Sequence, residues 1–427
     1  MSKLKELIDR LCPDGVEYKS LGEVGIFIRG NGLQKKDFTE SGVGCIHYGQ
    51  IYTHYGTYTK KTKSFVSEEL AEKLLQVFPG NLIIACTSEN VEDVGKAVAW
   101  LGKENIVTGG HSVVYRHTLN PKFVSYFFQT ENFFVQKKKY SFGAKVIDIK
   151  ASDLAKIIIP VPPLEVQEEI VRILDTFSAH AAELQAELQT RKEQYEYYRN
   201  LLLTFNPYAC GCGTDGEQEI KDVTPWGGAS YEIEWKTMGE ICIKISSGGT
   251  PSTSKKSYYH GNIPWMRTQE VDWKDVYDTD IKITEEAVNN SSAKMIPANC
   301  VIIAMYGATA AKCCINKIPL TTNQACCNLQ INPQIANYRY VYQWICKEYE
   351  NLKGMGEGSQ KNINVYKIKN YKIPIPPLEV QEKIVSILDR FETLVNDLTQ
   401  GLPAEIAAVK ERYEYYRNQL LTFKPIA

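Results

Sequence analysis

The chain has 427 residues, 44% of them hydrophobic, with 49 basic side chains against 50 acidic ones and a formal charge of −1. That length suits two or three domains, and the balance of charge excludes a molecule whose whole surface is a basic field for nucleic acid. No run of about eighteen apolar residues occurs, so no membrane-spanning helix is expected; the start, MSKLKELIDRLCPDGVEY, scatters charges through its apolar residues, unlike a secretory signal.

Residues 1–158 hold short β-like runs, NLIIACT from Asn81 and HSVVYRH from His111, broken by Gly, Asn and Thr. Such runs predict a mixed α and β domain rich in loops. The loops join aromatic residues to lysines. LQKKDF carries Lys35 and Lys36; HYGQIYTHYGTYTKKTKSF carries His47, Tyr48, Gln50, Lys60, Lys61 and Lys63; FFVQKKKYSFGAKV carries Lys145. Lysines in such loops suit phosphate contacts, and Gln or His side chains can read base edges. Two other features of this stretch carry less. Pro13, Asp14, Glu17 and Lys19 imitate a metal-dependent nuclease signature, but the gap is too short to bring carboxylates from separate strands onto one ion. The six histidines form no i, i+4 metal pair, and His47, His54, His111 and His117 read first as hydrogen-bonded residues of the fold.

Residues 159–210 read as one long helix. Pro162 and Pro163 stop a strand-like run, and a segment rich in Ala, Leu, Glu and Gln follows without glycine. Its apolar positions are Ile170, Leu174, Phe177, Ala181, Leu184, Leu188, Tyr195, Tyr198, Leu202 and Phe205, with only Arg191 polar at a seam position. Steps alternating between three and four residues are heptad spacing, a coiled-coil seam.

Residues 211–372 form a second mixed stretch. Thr250, Ser252, Lys255 and Lys256 stand in SSGGTPSTSKKSYYHGNIPW, followed by Arg267, Thr268 and Gln269; Lys361 and Asn362 stand in GEGSQKNINV. These are further candidate contacts to an anionic polymer. Twelve cysteines are present. Cys313–Cys314 and Cys326–Cys327 would point to opposite faces of a strand, and Cys210 and Cys212 form a lone C-x-C where zinc sites usually need two such knuckles. Reduced thiols in a cytoplasmic protein are expected.

Residues 373–427 return to the helical pattern, with a seam of Ile384, Leu388, Phe391, Val395, Leu398 and Leu402, then Ile406, Val409, Tyr413, Tyr416, Leu420 and Phe423. Two consecutive steps of four make a stutter at TQGLPAEI, where Gly401 and Pro403 predict a kink or break. This stretch repeats the earlier one. IPVPPLEVQEEIVRILDTF from Ile159 becomes IPIPPLEVQEKIVSILDRF from Ile373, and YEYYRNLLLTF becomes YEYYRNQLLTF. Fainter matches, VEYKSLGEVG with IEWKTMGEIC and PGNLIIA with PANCVII, extend the repeat over the whole chain. Two seams need partners: an antiparallel pairing would set two globular bodies at opposite ends of one rod, a parallel pair would crowd them at one end, and each helix could instead pack on its own globular body. The fold expected is therefore α+β: two globular mixed α/β domains joined by two long antiparallel helices forming a coiled coil, with a pseudo-two-fold internal repeat.

Catalytic motifs are missing from the sequence. No G-x-x-x-x-G-K-[ST] cradle occurs, GMGEGS from Gly354 has the wrong glycine spacing for a dinucleotide, and Asn206-Pro207-Tyr208 lacks the second proline of an adenine-methyltransferase element. No catalytic residue, metal or cofactor is expected. A second class stays open, a coiled-coil scaffold whose end domains bind proteins or glycans; a fused single-chain methyltransferase would need the absent motif.

GGTPSTS, YYHGNIPWMRTQEV, AMYGATAAK, TTNQACCNL, GSQKNINV and IPIPPLEVQEKIVSILD closely resemble the specificity (S) subunit of type I restriction–modification systems, and GNGLQKKDF, GCIHYGQIYTHYG and IPVPPLEVQEEIV resemble another version of the same domain. The resemblance implies target-recognition domains at 1–158 and 211–372, each reading half of a bipartite target in double-stranded DNA. Helical repeats at 159–210 and 373–427 would set the spacing and dock two methyltransferase (M) subunits. Restriction (R) subunits would complete the complex. Methyl transfer from S-adenosylmethionine and ATP-dependent cleavage would belong to those partners. Aligned on the family pattern, Gly248–Ser252 falls opposite Gly30–Leu33, Arg267, Thr268 and Gln269 opposite His47, Tyr48 and Gly49, and Gln360, Lys361 and Asn362 opposite Ala144, Lys145 and Val146. These clusters are expected to face DNA.

Overall fold

The computed structural model describes residues 2–205, 233–357, 362–397 and 399–426. The chain divides into two compact units, Met1–Ala186 with Glu405–Ala427, and Glu187–Ala404. Each joins a mixed α/β body to parts of both helical stretches, so the compact units do not end where the sequence pattern changes at 158 and 372.

Each body is built on a five-stranded sheet of the same order. In the first unit Gly25–Arg29, Ser112–His117, Leu82–Ala85, Ala97–Trp100 and Tyr58–Thr59 lie side by side. In the second, Cys242–Ser247, Cys326–Ile331, Val301–Ala304, Cys313–Asn316 and Asp275–Val276 do so. The last strand of each joins in parallel and the others run antiparallel. The central strands LIIA and VIIA are buried at every residue. Such unbroken apolar runs suit strands covered on both faces. In the second unit, Cys313 and Cys327 enter one core cluster while Cys314 and Cys326 enter another, on the two faces of the sheet. The ten described cysteines are free thiols, and burial pushes Cys45 up to about 12, far from thiolate reactivity. Cys210, Cys212 and Asn206–Tyr208 lie outside the described residues.

A smaller sheet stands beside each large one. Val43–Ile46 pairs in parallel with Ile106–Thr108 in the first unit, and Ile263–Met266 with Thr321–Thr322 in the second. The turn that follows Val43–Ile46 or Ile263–Met266 leads into the site described below.

The repeated Pro-Pro-Leu-Glu-x-Gln element has a structural task. The strand Ile158–Pro160 pairs with Tyr18–Ser20 and ends at the prolines; the helix then runs Leu164–Leu202, 39 residues and about 58 Å at 1.5 Å per residue. Gln167 is buried one turn in. Its Nε2 donates to the Pro162 carbonyl at 2.7 Å and its Oε1 accepts from the Asn120 amide at 2.9 Å. Gln381 repeats both bonds, to Pro376 at 2.8 Å and from Asn337 at 2.8 Å. One side chain thus ties the start of the helix to the strand before it and to the cap of the next helix of the body, since Asn120 and Asn337 are both N-caps.

The second helical stretch is two helices, Leu378–Asn396 and Leu402–Leu420. The break is held by Asp397, whose Oδ1 accepts from the Thr399 amide at 2.7 Å and the Gln400 amide at 3.2 Å. A Cβ on Gly401 would lie 2.5 Å from the Thr393 carbonyl oxygen, so a glycine is needed there. Of the expected seam residues, Leu174, Leu184, Leu188, Leu202, Leu388, Ile406, Val409 and Leu420 are buried, and Phe177, Tyr195, Phe391, Tyr413 and Tyr416 are half-buried. Tyr198 is 39% exposed. Leu398 lies outside the described residues.

The end of the chain belongs to the first unit. Tyr18 donates its hydroxyl to the Phe423 carbonyl at 2.9 Å and accepts from the Phe423 amide at 3.0 Å. The Val16 amide donates to Lys424 at 2.8 Å, and the Ile426 amide donates back to Val16 at 3.2 Å. Leu420 and Leu421 enter the first unit's core with Leu21, Tyr115 and Leu174.

Candidate nucleic-acid interface

Each unit presents a rim formed where a small-sheet strand turns into a short helix. In the first, His47 caps Tyr48–Thr53: its Nδ1 accepts from the Gly49 amide at 3.2 Å while Gln50 Oε1 accepts from the His47 amide at 3.1 Å. In the second, Arg267 stands at the same cap before Thr268–Glu270, and Glu270 Oε1 accepts from the Arg267 amide at 3.1 Å. The structure thus superposes Arg267, Thr268 and Gln269 on His47, Tyr48 and Gly49 through shared capping geometry.

The loop glycines correspond as well. The Gly30 amide donates to the Ser112 carbonyl and the Gly248 amide to the Cys326 carbonyl, each on the second strand of its sheet. A Cβ on Gly30 would lie 2.2 Å from the Gly109 oxygen, and one on Gly248 2.1 Å from the Thr322 oxygen. No other residue permits so close an approach of two backbones.

A third correspondence corrects the sequence alignment. The Ile149 amide donates to Cys86 and the Ile363 amide to Met305, at 3.0 and 2.9 Å. Asn362 therefore lies opposite Asp148, two residues beyond Val146. A loop longer by one residue in the first unit accounts for part of the offset: Asp148 bridges back to Phe142, and Asn362 bridges back to Glu357. Lys361 and Gln360 lie outside the described residues.

Not every expected contact residue is free to act. Gln50 Nε2 donates to Ser64 Oγ at 2.6 Å, so with its cap bond both ends of the amide are engaged within the fold. Thr268 is buried, and its carbonyl accepts from Thr309 Oγ1 at 2.8 Å. Thr250 Oγ1 is bonded to Gln324 Oε1, and Lys255 donates to the Tyr258 hydroxyl at 2.9 Å. Ser252 bonds Ser254 at 2.8 Å on an exposed loop. Arg267 is half-buried, 3.7 Å from Glu270 and 4.0 Å from Asp280, distances loose enough to release it toward a phosphate or base. His47 is buried, and burial first, then the charges of Lys35 and His111, hold it below the usual histidine range.

Of the lysines expected to meet phosphate, most of the exposed ones lie in the first unit. Among the described residues, Lys35, Lys36, Lys60, Lys61, Lys63 and Lys145 are exposed and belong to no ion pair. Lys60 and Lys61 line a surface cleft of about 580 Å³ with Gly42, Gly44, Trp100 and Lys103. Lys256 and Gln269 are exposed in the second unit.

Sequence reasoning took His111 only as a hydrogen-bonded residue of the fold and passed over Thr87 and Asp148. His111 sits in the turn before Ser112–His117 at φ +64°, exposed and with its carbonyl accepting from the Cys86 amide at 2.8 Å. Its Nδ1 lies 3.0 Å from Thr87 Oγ1, which donates to Asp148 Oδ1 at 2.5 Å. The Tyr48 ring stands 5.1 Å from the His111 ring. The single advance signal was a histidine in a glycine-rich turn, GGHS.

The chain thus carries two versions of one mixed α/β body, each with its own rim of loops. The family model described as the type I restriction modification DNA specificity domain matches residues 13–193 and again 232–408. The chain belongs to that family. It is 39% identical over 280 residues to the EcoR124I/EcoR124II specificity subunit of Escherichia coli, a match spanning 63% of each chain. Two solved structures share the fold at 18% identity. One is a chain from a type I restriction–modification system, with a TM-score of 0.62, covering 96% of this chain and 98% of that one. The other is the HsdS subunit of Thermoanaerobacter tengcongensis, with a TM-score of 0.52 and coverage of 96% and 97%. No helix among the described residues is long and apolar enough to cross a membrane.

Proposed function

We propose that each unit reads one half of a bipartite target in double-stranded DNA, that the helical stretches fix the gap between the halves, and that they dock two methyltransferase subunits in the cytoplasm, with restriction subunits joining the full complex. The observation that carries this reading is the pairing of a similar backbone frame with unlike side chains at its rim: His47 against Arg267, Asp148 against Asn362. A shared frame sets each reader on the phosphates in the same way, and the exchanged side chains give each its own sequence. Lysines of the first rim supply the phosphate contacts. With a net charge of −1, the chain gains little from its overall field, and partner subunits add the remaining charge.

The helices act as the ruler through an antiparallel coiled coil. Within the first unit Phe177 stacks on Tyr416 with ring centroids 5.4 Å apart and planes at 27°; within the second Tyr198 stacks on Phe391 at 5.4 Å and 26°. Phe177 and Phe391 are equivalent in the repeat, as are Tyr416 and Tyr198. Along the first helix the number rises from 177 to 198 while the partner's falls from 416 to 391, as two opposed helices require.

Removal of Gly401–Ala404, about 6 Å of helix, tests the ruler. Mapping methylated adenines in cells that carry the shortened chain and its methyltransferase is expected to show a changed gap with both half-sites unaltered. Altered half-sites with an unaltered gap would contradict the reading.

A further inference from the structure

We infer that His111 reads a base in the first half-site, and that Thr87 and Asp148 fix its ring so that Nε2 accepts a hydrogen bond from the exocyclic amino group of an adenine or a cytosine. The inference rests on the two-reader function proposed above and assigns one residue within it.

Proton bookkeeping supports the assignment. A carboxylate only accepts, so the single hydroxyl proton of Thr87 goes to Asp148 Oδ1, 2.5 Å away. Thr87 Oγ1 then offers only lone pairs to the His111 ring. Nδ1, at 3.0 Å, must be the donor. In the neutral imidazole, a proton on Nδ1 leaves a bare lone pair on Nε2. Thr87 and Asp148 sit opposite each other on the paired strands Thr87–Ser88 and Ile147–Asp148, so the relay is anchored in sheet. The Tyr48 ring, tilted at 50° to the imidazole and 5.1 Å away, limits its swing.

The backbone adds a second argument. A non-glycine residue at φ +64° stores strain. At the corresponding position of the second unit, where the Met305 amide donates to the carbonyl as Cys86 does to His111, the residue is Ala325. Ala325 does not carry a positive φ, so the corresponding connection is built without a strained histidine. Strain retained together with an exposed, oriented ring marks a residue used for contact.

In the major groove the only hydrogen-bond donors are adenine N6 and cytosine N4; guanine and thymine present acceptors at those positions. A lone pair facing guanine O6 or thymine O4 leaves both acceptors unmet. A locked Nε2 therefore selects an amino-bearing base at one position.

The test uses the whole chain assembled with its methyltransferase, on DNA with the first half-site randomised, scoring methylation base by base. Glycine suits a positive φ, so His111→Gly keeps the turn. It is expected to lose about five- to fiftyfold discrimination at one adenine or cytosine position, with other positions and the entire second half-site retained. Thr87→Val, which keeps the ring but removes its tether, weakens the same position less. Unchanged discrimination in both variants, or a guanine or thymine at the affected position, overturns the inference. So does an even loss across both half-sites in both variants, which assigns these residues to folding alone. If the unaltered complex shows no base preference in either half-site, the two-reader function itself falls, and this assignment with it.

Discussion

The two units share their hydrogen-bonded frame and differ in what they mount on it. Strand order, the buried glutamines Gln167 and Gln381, the glycines Gly30 and Gly248 and the caps at His47 and Arg267 all recur. Side chains held by that frame are exchanged freely: Ala325 for His111, Asn362 for Asp148, Ile331 for His117. Backbone bonds constrain which residues can stand at a few positions and leave their neighbours free. A reader can thus change its target without losing its fold.

The largest expected effect breaks one copy of the frame and spares the other. Gly248→Val forces a Cβ within 2.1 Å of the Thr322 carbonyl oxygen, a backbone atom that cannot turn away, and should cost about 3 kcal/mol or more. Differential scanning calorimetry should show a lowered transition, and target mapping should show the second half-site lost with the first still read. Loss of the first half-site instead would mean that the frames are not independent readers.

A smaller effect separates the units by pH. Both ring nitrogens of His117 are shut off from solvent, and burial drives its pKa down to about 4. A histidine whose folded pKa is depressed stays neutral in the fold while the unfolded chain takes up a proton below about 6.5. Its contribution is therefore intact above about 6.5 and shrinks as pH falls toward 4, by about 2 kcal/mol at pH 5. At the equivalent strand position the second unit carries Ile331, which does not titrate. Urea unfolding of His117→Ile between pH 7 and 5 should show a shallower loss of stability than the unaltered chain. An equal slope would place the acid sensitivity elsewhere.

The smallest effect concerns the cations of the first rim. Lys60→Ala and Lys61→Ala should weaken binding of the assembled complex uniformly over sequences and reduce its salt slope by about one for each lysine that meets a phosphate. A change of preferred bases would instead make these lysines readers. Equivalent changes at Lys256 should show whether the second unit holds the backbone as strongly.

Much of the architecture was legible because its causes are local. The doubled Pro-Pro-Leu-Glu-x-Gln element announces the repeat, heptad spacing announces the helices, and neighbouring cysteines fall on opposite faces because strand side chains alternate. The rim was legible only in outline. Gln50 looks like a base reader in sequence, but its amide closes a cap and bonds Ser64, a partner that becomes adjacent only in the fold. Thr268 looks exposed and is buried, since the helix turn rotates it inward. His111 shows nothing in sequence of its positive φ or of the relay to Asp148, 37 positions away in the chain. The Asn362 alignment slipped in part because the two loops leading to it differ in length, and no local pattern records where the extra residue went.

The docking of Phe423, Lys424 and Ile426 onto Val16 and Tyr18 has a consequence for biosynthesis. The second unit is one unbroken stretch of chain, whereas the first needs residues made after it. On the ribosome, the first unit must wait for the helix Leu402–Leu420 before its core is sealed, and loss of Phe423–Ile426 would loosen a body whose other residues are made well before them.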